Sequence, residues 1–431
     1  MRHDVPKDEL GPMGEAMSDA IQKCVHCGFC LPGCPTYQEL GQEQDSPRGR
    51  ILLMKEVLEG NLPLEEALQP IDRCLGCLAC ETNCPSGVEY GELISPFRDY
   101  ARSRRSMSWL ERIRRQVVLR TLPYPKRFRL AITMGKYSQW MKGILPRTFR
   151  PMLDMIPPTV PASQRVEGLH AAQGKRRGRV ALLVGCAQQV LSPGINLATL
   201  RVLTRNGVEV IVPSGQKCCG ALAWHVGEAD AARRTAQENL GVFPEDVDAI
   251  ISNAAGCGSG MKEYPLLFKG TSQAESAEHF AEKVVDISVY LDQLGIEDPG
   301  ELVASTRVGY HDACHLAHAQ KVRSAPRKLL RGIGNLELVE IGDSETCCGS
   351  AGTYNIDQPQ LAQQLGKRKA DVIRQAGCEA IAAGNIGCLI QIEKHLVELG
   401  TQIPVMHPIE ILDRAYQGKS LDVLSAGGEA H

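Results

Sequence analysis

Two copies of one cysteine motif restrict what the N-terminal part of this chain can fold into. Each copy has the spacing C-x2-C-x2-C-x3-C-P, in the segments CVHCGFCLPGCP and CLGCLACETNCP. This spacing places three thiolates on one tight loop, and the proline after the fourth cysteine redirects the chain. The eight cysteines are Cys24, Cys27, Cys30, Cys34, Cys74, Cys77, Cys80 and Cys84. Their number and spacing predict metal centres rather than core packing.

The spacing is typical of bacterial ferredoxins, which bind two four-iron, four-sulfur clusters. In such pairs the fourth cysteine of each motif reaches across to the other cluster. One cluster is therefore assigned to Cys24, Cys27, Cys30 and Cys84, and the other to Cys74, Cys77, Cys80 and Cys34. Zinc is the alternative, since paired C-x2-C elements also make zinc sites, but three evenly spaced cysteines plus Cys-Pro, twice over, favour clusters. Because protein thiolates fill every ligand position, this part is expected to conduct electrons.

The remaining composition fits an intracellular protein. The chain has 17 cysteines in 431 residues, and its start is charged and lacks the apolar run of a signal peptide. No stretch approaches the roughly 18 apolar residues of a membrane-spanning helix. In a cytosolic chain many cysteines indicate metal ligands or redox groups rather than disulfides. We therefore expect a cytoplasmic protein.

The C-terminal half is an internal duplication. Four cysteines recur after 128 to 131 residues, with a C-C-G triplet in each copy. They are Cys186, Cys218, Cys219 and Cys257, matched by Cys314, Cys347, Cys348 and Cys388. A strand-like run precedes each cysteine position, as in RVALLVGC and TRVGYHDAC, and helical patterns lie between them. Alternating strands and helices predict two α/β modules with largely parallel sheets, with the cysteines in loops after the strand C-termini.

These patterns together predict an α+β multidomain protein. A mainly α-helical two-cluster ferredoxin domain is followed by two tandem α/β CCG modules. In the first domain, Ser46 and Pro47 are expected to begin a helix that Gly60 stops. The predicted parts are residues 1–97 for the ferredoxin-like domain, 98–178 for a basic connecting segment, 179–300 for the first CCG module and 301–431 for the second.

The eight CCG cysteines are predicted to bind a cofactor, either a further cluster or a metal. A vicinal pair does not easily form an unstrained disulfide with itself, and the following glycine lets a bulky group approach. A structural or vestigial role is the alternative. Cys378 has no counterpart and is expected to be a buried core residue. Four histidines lie near these cysteines, and the ordinary interpretation is a loop histidine with a satisfied hydrogen bond: His225, His311, His315 and His318.

A basic segment separates the two halves. Residues 98–150 carry 15 Lys and Arg against two acidic residues, a net charge of +13 in a chain whose total is −2. WLERIRRQVVLRTL within it is a candidate amphipathic helix, and Trp109 and Trp140 stand among the cations. An anionic membrane surface, an acidic partner subunit and a solvated connecting face remain open. Nucleic acid is not expected as a partner, because no reading motif accompanies the charge.

The two ferredoxin motifs, SPRGRILLMKEVLEG between them and the two CCG modules make the chain resemble the iron–sulfur subunits of bacterial glycolate oxidase. The resemblance covers essentially the whole chain. The cysteine pattern alone is shared with iron–sulfur subunits of anaerobic glycerol-3-phosphate dehydrogenase, lactate-oxidising complexes and heterodisulfide reductase. The opening DAIQKCVHCGFCLPGCPTYQELGQEQDSPRGRI is most similar to the glycolate oxidase subunits.

The resemblance implies a non-catalytic electron-transfer subunit of an oxidoreductase complex that converts glycolate to glyoxylate. FAD would be held only in partner subunits, which agrees with the lack of a convincing dinucleotide-binding or Walker loop in the sequence. Electrons would pass toward the quinone pool, at the inner face of the cytoplasmic membrane. An iron–sulfur subunit of a related lactate or glycerol-3-phosphate dehydrogenase is the alternative.

One departure bears on a further alternative, a thiol–disulfide enzyme. In the heterodisulfide reductase relatives each CCG module ends in C-x2-C, which provides a fifth cysteine. Here Cys257 and Cys388 stand alone. The missing cysteines argue against the disulfide-cleaving chemistry of that family, although four cysteines per module still suffice to hold an ordinary cluster.

Overall fold

A computed structural model describes residues 4–138, 140, 143–144, 146, 148–157 and 159–421. Its N-terminal part consists of short helices around the two cysteine loops. After a 3-10 segment at Lys7–Met13, the helices are α1 (Gly14–Gln22), α2 (Pro35–Leu40), α3 (Pro47–Leu58), α4 (Leu64–Asp72), α5 (Ala79–Thr82) and α6 (Gly91–Arg104). Met17, Met54, Leu93 and Phe97 are almost fully buried in their shared core.

Helix α3 begins and ends as its sequence predicts. The Ser46 side chain accepts a hydrogen bond from Gly49 N–H, and Pro47 occupies the first helical position. Gly60, just past the end, adopts a φ of +76°, which favours glycine. The predicted cap and stop are confirmed, and they fix α3 between the two cysteine loops.

Two helices of the basic segment pack against each other. The segment contains α7 (Trp109–Thr121), α8 (Pro125–Tyr137) and the short α9 (Arg150–Asp154). Ser108 and Glu111 form a reciprocal capping box at the start of α7, which confirms the helix expected over WLERIRRQVVLRTL. Among the described residues, no helix is both long enough and apolar enough to cross a membrane.

The two CCG modules share one sheet topology. The elements of the first are β1 (Gly168–His170), β2 (Gly178–Leu183), α10 (Gln188–Leu191), α11 (Gly194–Arg205), β3 (Val208–Val212), α12 (Ala221–His225), α13 (Ala229–Val242), β4 (Ala249–Ser252), α14 (Ala255–Lys262), α15 (Tyr264–Leu267), α16 (Ala274–Lys283), β5 (Val284–Asp286) and α17 (Ile287–Leu294). The elements of the second are β6 (Glu301–His311), a π-helical turn (His315–Ala319), α18 (Ser324–Arg331), β7 (Gly334–Glu340), α19 (Tyr354–Asp357), α20 (Pro359–Gln375), β8 (Ala380–Ala383), α21 (Ile386–Glu398), β9 (Val405–Met406) and α22 (Pro408–Tyr416).

The strand orders are β1-β3-β2-β4-β5 and β7-β6-β8-β9. All neighbouring strands are parallel except β1, which pairs antiparallel with β3 although it lies in the segment expected to connect the domains. Without β1, the order of the first sheet repeats in the second, so the structure confirms the predicted fold class of helices with mostly parallel sheets.

The last helix of each module packs on the other module. Helix α22 lies against α11, and α17 lies against α18. Arg201 on α11 forms a bidentate ion pair with Asp413 on α22, and Lys328 on α18 pairs with Asp292 on α17 at the corresponding place. One buried apolar cluster includes residues of both sheets. The two modules are therefore joined by a pseudo-symmetric exchange of their last helices.

Candidate metal centres

The two ferredoxin-type loops repeat one backbone conformation. His26 and Gly76, each just before the second cysteine of its motif, have φ values of 55° and 65°. Gly28 and Leu78, each just after it, have φ values of 89° and 61°. Left-handed backbone is costly for His26 and Leu78, and such strain persists where the surrounding structure fixes it, often at functional sites.

Each loop closes over a cavity lined by thiols. The first cavity is lined by Cys24, Cys27, Cys30, Cys80 and Cys84. The second is lined by Cys34, Cys74, Cys77 and Cys80. The cysteines predicted for each cluster thus surround one cavity, with the fourth cysteine supplied by the opposite motif. Cys80 lines both cavities, so the two sites are immediate neighbours.

The donor spacing at these cavities fits a group of several atoms. Among the described residues, no three of the eight N-terminal sulfurs lie within 4.8 Å of one another. Backbone N–H groups already point at the sulfurs: Gly76 N–H donates to Cys74 Sγ at 3.4 Å, and Val88 N–H to Cys84 Sγ at 3.5 Å. Hydrogen bonds of this kind stabilise the negative charge of cluster sulfurs. The residues present therefore fit iron–sulfur clusters.

A buried arginine lies against the second cavity. Arg50 is 1% exposed, and its Nη1 lies 3.7 Å from Cys34 Sγ. Its Nε donates to Pro70 O at 2.7 Å, and its Nη2 donates to Thr36 Oγ1 at 2.9 Å. The fully buried Asp45 pairs with Arg50 at 3.3 Å and with Arg73 at 3.1 Å. Arg50, Arg73 and Asp45 together therefore leave one net positive charge beside the sulfurs of this site.

The first cavity has a more exposed cation beside it. Arg48, two residues before Arg50, donates to His26 O at 3.0 Å and pairs with the exposed Glu43 at 2.6 Å. The segment SPRGR thus contacts both cysteine motifs, one through each arginine. The spacing of residues in the sequence could not predict these arginine contacts, because they depend on where α3 packs.

The electrostatic surroundings differ among the cysteines of the second cavity. Burial opposes ionisation of Cys74, but the Arg50 and Arg98 guanidinium groups outweigh it and hold the pKa of this thiol below its ordinary value. Burial raises the pKa of Cys80 well above the ordinary value. Burial also raises the pKa of the nearby Glu81 carboxyl to about 7. At Cys80, therefore, a bound metal would have to supply most of the charge that keeps the thiolate ionised.

The first CCG module gathers its four cysteines from three segments. Cys186 follows β2, the pair Cys218–Cys219 follows β3, and Cys257 lies in the first turn of α14. Cys186 Sγ and Cys218 Sγ are 3.4 Å apart, and the buried Cys219 thiol interacts electrostatically with Cys218 and Cys257. The expectation of loops after strands is wrong for the last cysteine, because the helix begins only three residues after β4 ends.

The second CCG module repeats this arrangement with one addition. Cys314 Sγ and Cys347 Sγ are 3.9 Å apart, and Cys388, like Cys257, lies in the first turn of a helix. The addition is His311 at the end of β6, whose ring lies with Cys348 and Cys388 in one buried group. The ordinary interpretation of a satisfied loop histidine is wrong for His311, since neither ring nitrogen has a hydrogen-bond partner among the described residues.

The other three histidines near the cysteines do have polar partners. His318 hydrogen-bonds with Thr82 and with Glu345 O, and His225 contacts the Glu263 carboxylate at 3.2 Å. His315 bridges Ser259 Oγ at 2.9 Å and Gly76 O at 3.1 Å. Burial lowers the pKa of His315 to about 4, so the ring is neutral at physiological pH.

The second cysteine loop docks against the second CCG site. Cys77, Cys314 and Cys347 belong to one buried cluster, with Leu75 and Tyr354 among its members. His315, next to Cys314, holds the carbonyl of Gly76 inside the loop between Cys74 and Cys77. Sequence spacing could not show this contact, because it joins positions more than two hundred residues apart. The N-terminal and C-terminal halves therefore meet at their cysteine sites.

Comparisons with known families agree with this division. The family model described as "4Fe-4S dicluster domain" matches residues 20–88. The model described as "Cysteine-rich domain" matches twice, at residues 180–262 and 308–393. The dicluster match and the thiol-lined cavities support iron–sulfur clusters as the cofactors of the N-terminal part.

Three relatives among curated proteins cover different shares of the chain. The glycolate oxidase iron-sulfur subunit of Escherichia coli (strain K12) is 38% identical over 92% of this chain and 94% of its own length. The probable glycolate oxidase iron-sulfur subunit of Bacillus subtilis (strain 168) is 36% identical over 86% of this chain and 88% of its own length. Lactate utilization protein A of Oceanobacillus iheyensis is 31% identical over 56% of this chain, which is 98% of that protein.

Proposed function

Since this chain belongs to the family of glycolate oxidase iron–sulfur subunits, we propose that it relays electrons from a flavin in a partner subunit toward the respiratory quinone pool. The complex would be an FAD-dependent dehydrogenase that oxidises glycolate to glyoxylate. In this proposal the chain itself holds no substrate. FAD belongs to the partner subunits, and this chain is the conductor between them and the acceptor.

The observation that carries the proposal is the position of Cys80, which lines both thiol cavities. Two neighbouring redox groups allow an electron to move through the N-terminal part in successive short steps. We propose that Cys24, Cys27, Cys30 and Cys84 hold one 4Fe-4S cluster. We propose that Cys34, Cys74, Cys77 and Cys80 hold the other.

When bound, such clusters accept and donate single electrons at potentials set by charge, hydrogen bonds and solvent exposure. The residues of this chain set those conditions. Arg50 places a buried positive charge beside Cys34, and the Gly76 and Val88 N–H groups donate to sulfurs. Tyr90 Oη, fully buried, donates to Cys74 Sγ at 3.7 Å and helps to exclude water from the second site.

The basic helices supply a surface for peripheral contact with an anionic membrane at the cytoplasmic face. Exposed apolar side chains follow one face of α8, spaced at Leu130, Met134 and Tyr137. A second exposed stripe on α7 consists of Trp109, Ile113 and Val117. The two helices carry eight Lys and Arg and one acidic residue. Exposed apolar stripes flanked by cations favour anionic lipid over water, which would place the chain near its quinone acceptor.

The test separates electron relay from substrate oxidation. A tagged chain is purified from its native cells without oxygen, and the recovered complex is assayed with glycolate, lactate and glycerol 3-phosphate. We expect co-purified FAD-containing subunits, bleaching of flavin absorbance by glycolate and reduction of a quinone analogue. In a Cys30→Ser complex the flavin should still bleach, while quinone reduction is lost.

Cys378→Ser is the matched control, because Cys378 is a thiol outside both cavities. It should leave quinone reduction unchanged. A complex that bleaches with lactate or glycerol 3-phosphate but not with glycolate would contradict the proposed substrate. Full quinone reduction by the Cys30→Ser complex would contradict the proposed relay.

A further inference from the structure

The two CCG sites differ at one buried position. When the two repeats are aligned in sequence at Cys186 and Cys314, Leu183 at the end of β2 corresponds to His311 at the end of β6. Leu183 is an ordinary core residue, 1% exposed. His311 is fully buried at the same place in the second sheet. Because the first module has an apolar side chain at this buried position, the fold itself does not require an imidazole there.

His311 stands apart from the other buried histidines. His407 accepts a hydrogen bond from Ile409 N–H, and His395 contacts Glu398 and Gln391. Among the residues described, neither nitrogen of His311 has such a partner. A neutral imidazole always carries one N–H and one lone pair, and burying either unpaired costs roughly 1–3 kcal/mol. The ring faces the Cys348 and Cys388 sulfurs without a hydrogen bond of ordinary geometry, which points to a bound group between them.

The sulfurs around His311 show what that group is. One ring nitrogen, Cys348 Sγ and Cys388 Sγ all lie within 4.8 Å of one another, and no other such group of three donors occurs in the described part of the chain. Cys347 precedes Cys348 in the chain, and its Sγ lies 3.9 Å from Cys314 Sγ, outside this group of three. Asn385 Nδ2 lies 3.5 Å from Cys388 Sγ, where it orients a ligand from outside.

We propose that the second CCG module binds one zinc ion through His311, Cys348, Cys388 and one thiolate of the Cys314–Cys347 pair. Tetrahedral zinc with bonds of about 2.0–2.3 Å separates its donors by roughly 3.3–3.8 Å. Three of the donors lie within 4.8 Å of one another, a separation that small side-chain movements would reduce to this spacing, whereas no three of the described thiols in the N-terminal cavities lie as close. Three cysteines and one histidine are an ordinary ligand set for structural zinc.

The surroundings also suit the charge of this centre. Three thiolates and one Zn²⁺ leave one negative charge in a buried place. Lys369, 2% exposed, interacts electrostatically with Cys347, Cys348 and Cys388, and its Nζ donates to Asp343 O. Its positive charge offsets the charge of the centre, so the site is close to neutral without solvent.

Zinc at this position would have a structural effect on the electron path. Zinc has no redox chemistry, so the module would not extend the chain of clusters. It would instead fix three loops of the module, and with them the surface formed by Cys314 and Cys347 that packs on Cys77. The second cysteine loop would thus rest on a rigid support.

The test measures zinc and iron per chain in the full-length protein, purified without oxygen. We expect about one zinc that resists mild chelation, and its loss in His311→Ala and in Cys388→Ser with no change in iron. The matched control is Cys378→Ala, a buried thiol that packs against Gly309 of the same sheet. It should retain the zinc.

A spectroscopic measurement covers the case in which His311→Ala folds poorly. Cobalt exchanged into the unmodified chain should show tetrahedral ligand-field bands of a mixed thiolate–imidazole site. In His311→Cys the metal should remain, with these bands shifted toward those of four thiolates. A chain with no zinc, zinc that persists in a folded His311→Ala, or iron that is lost instead, would overturn the assignment. The proposed electron relay would survive each of these outcomes if the chain keeps its N-terminal iron.

Discussion

Replacing Arg50 by Gln should lower the midpoint potential of the cluster proposed for the second cavity. Arg50 Nη1 lies 3.7 Å from Cys34 Sγ, and the side chain is almost fully buried. Coulomb's law at an effective dielectric constant of about 20 gives roughly 4 kcal/mol for unit charges at the 3.7 Å separation. An electron added to a cluster is spread over several atoms, so we take about half of that energy, ~2 kcal/mol, which is roughly 90 mV.

The assay is a redox titration followed by electron paramagnetic resonance, with iron measured on the same samples. Arg50→Lys keeps the charge and should shift the potential much less. Arg48→Gln is the matched control at the first cavity, because the Arg48 charge is already paired with Glu43 near solvent.

A double variant separates charge from packing. Asp45 is the buried counter-charge of Arg50, so Arg50→Gln with Asp45→Asn restores the original net charge and should recover most of the lost potential. An Arg50→Gln protein with full iron and an unchanged potential would refute the reasoning. An equal shift at both clusters would refute it as well, because the Arg50 charge contacts only the second site.

Three further predictions follow from other parts of the molecule. The double variant Leu130→Glu, Tyr137→Glu should weaken binding to phosphatidylglycerol vesicles at least about tenfold in a sedimentation assay, because both exposed side chains belong to the apolar stripe of α8. Val397→Glu, which changes an exposed residue on α21, should leave vesicle binding unchanged. Burial lowers the pKa of His407 to about 3, below its value in the unfolded chain, so the free energy of unfolding should fall as the pH drops below ~6.5. In denaturant unfolding the loss should reach about 3 kcal/mol by pH ~4.5, and His407→Asn should remove this dependence on pH. Burial raises the pKa of Asp286 to about 6, so this residue should make the free energy of unfolding decrease as the pH rises from ~4 to 6. Gly227→Ala should lower the free energy of unfolding by at least ~2 kcal/mol, because Gly227 has a φ of +77° and an added Cβ would lie 2.4 Å from the Arg98 backbone of α6. Gly241→Ala is the control for this denaturant measurement. It should be neutral or slightly stabilising, because the space around Gly241 is open.

The features that the sequence predicts well are local or repeated. The caps of α3 depend on a few adjacent residues, and the strand before each CCG cysteine appears twice with the same surroundings. The parallel sheets follow from the alternation of strands and helices in each module. The predicted loop position is wrong for Cys257 and Cys388, because α14 and α21 each begin three residues after the preceding strand ends.

The features that escaped prediction depend on contacts between distant segments. Arg50 meets Cys34 only because α3 packs beside the second cavity. His311 could have been found, because the duplication itself places a histidine opposite Leu183, and a polar residue at a core position of a repeat is a signal. The general expectation that a histidine near a cysteine forms hydrogen bonds with its neighbours points the other way.

The exchange of α17 and α22 between the modules has a consequence for how the protein is made. Helix α11 of the first module lies against α22, which is translated about two hundred residues later. A nascent chain that has completed the first sheet therefore still exposes the apolar face of α11 to solvent. At a synthesis rate of ~5–20 residues per second this exposure lasts for at least ten seconds or so. The cysteines of the two proposed N-terminal clusters, by contrast, all lie in segments that leave the ribosome first, so clusters could be inserted there before α22 has been made.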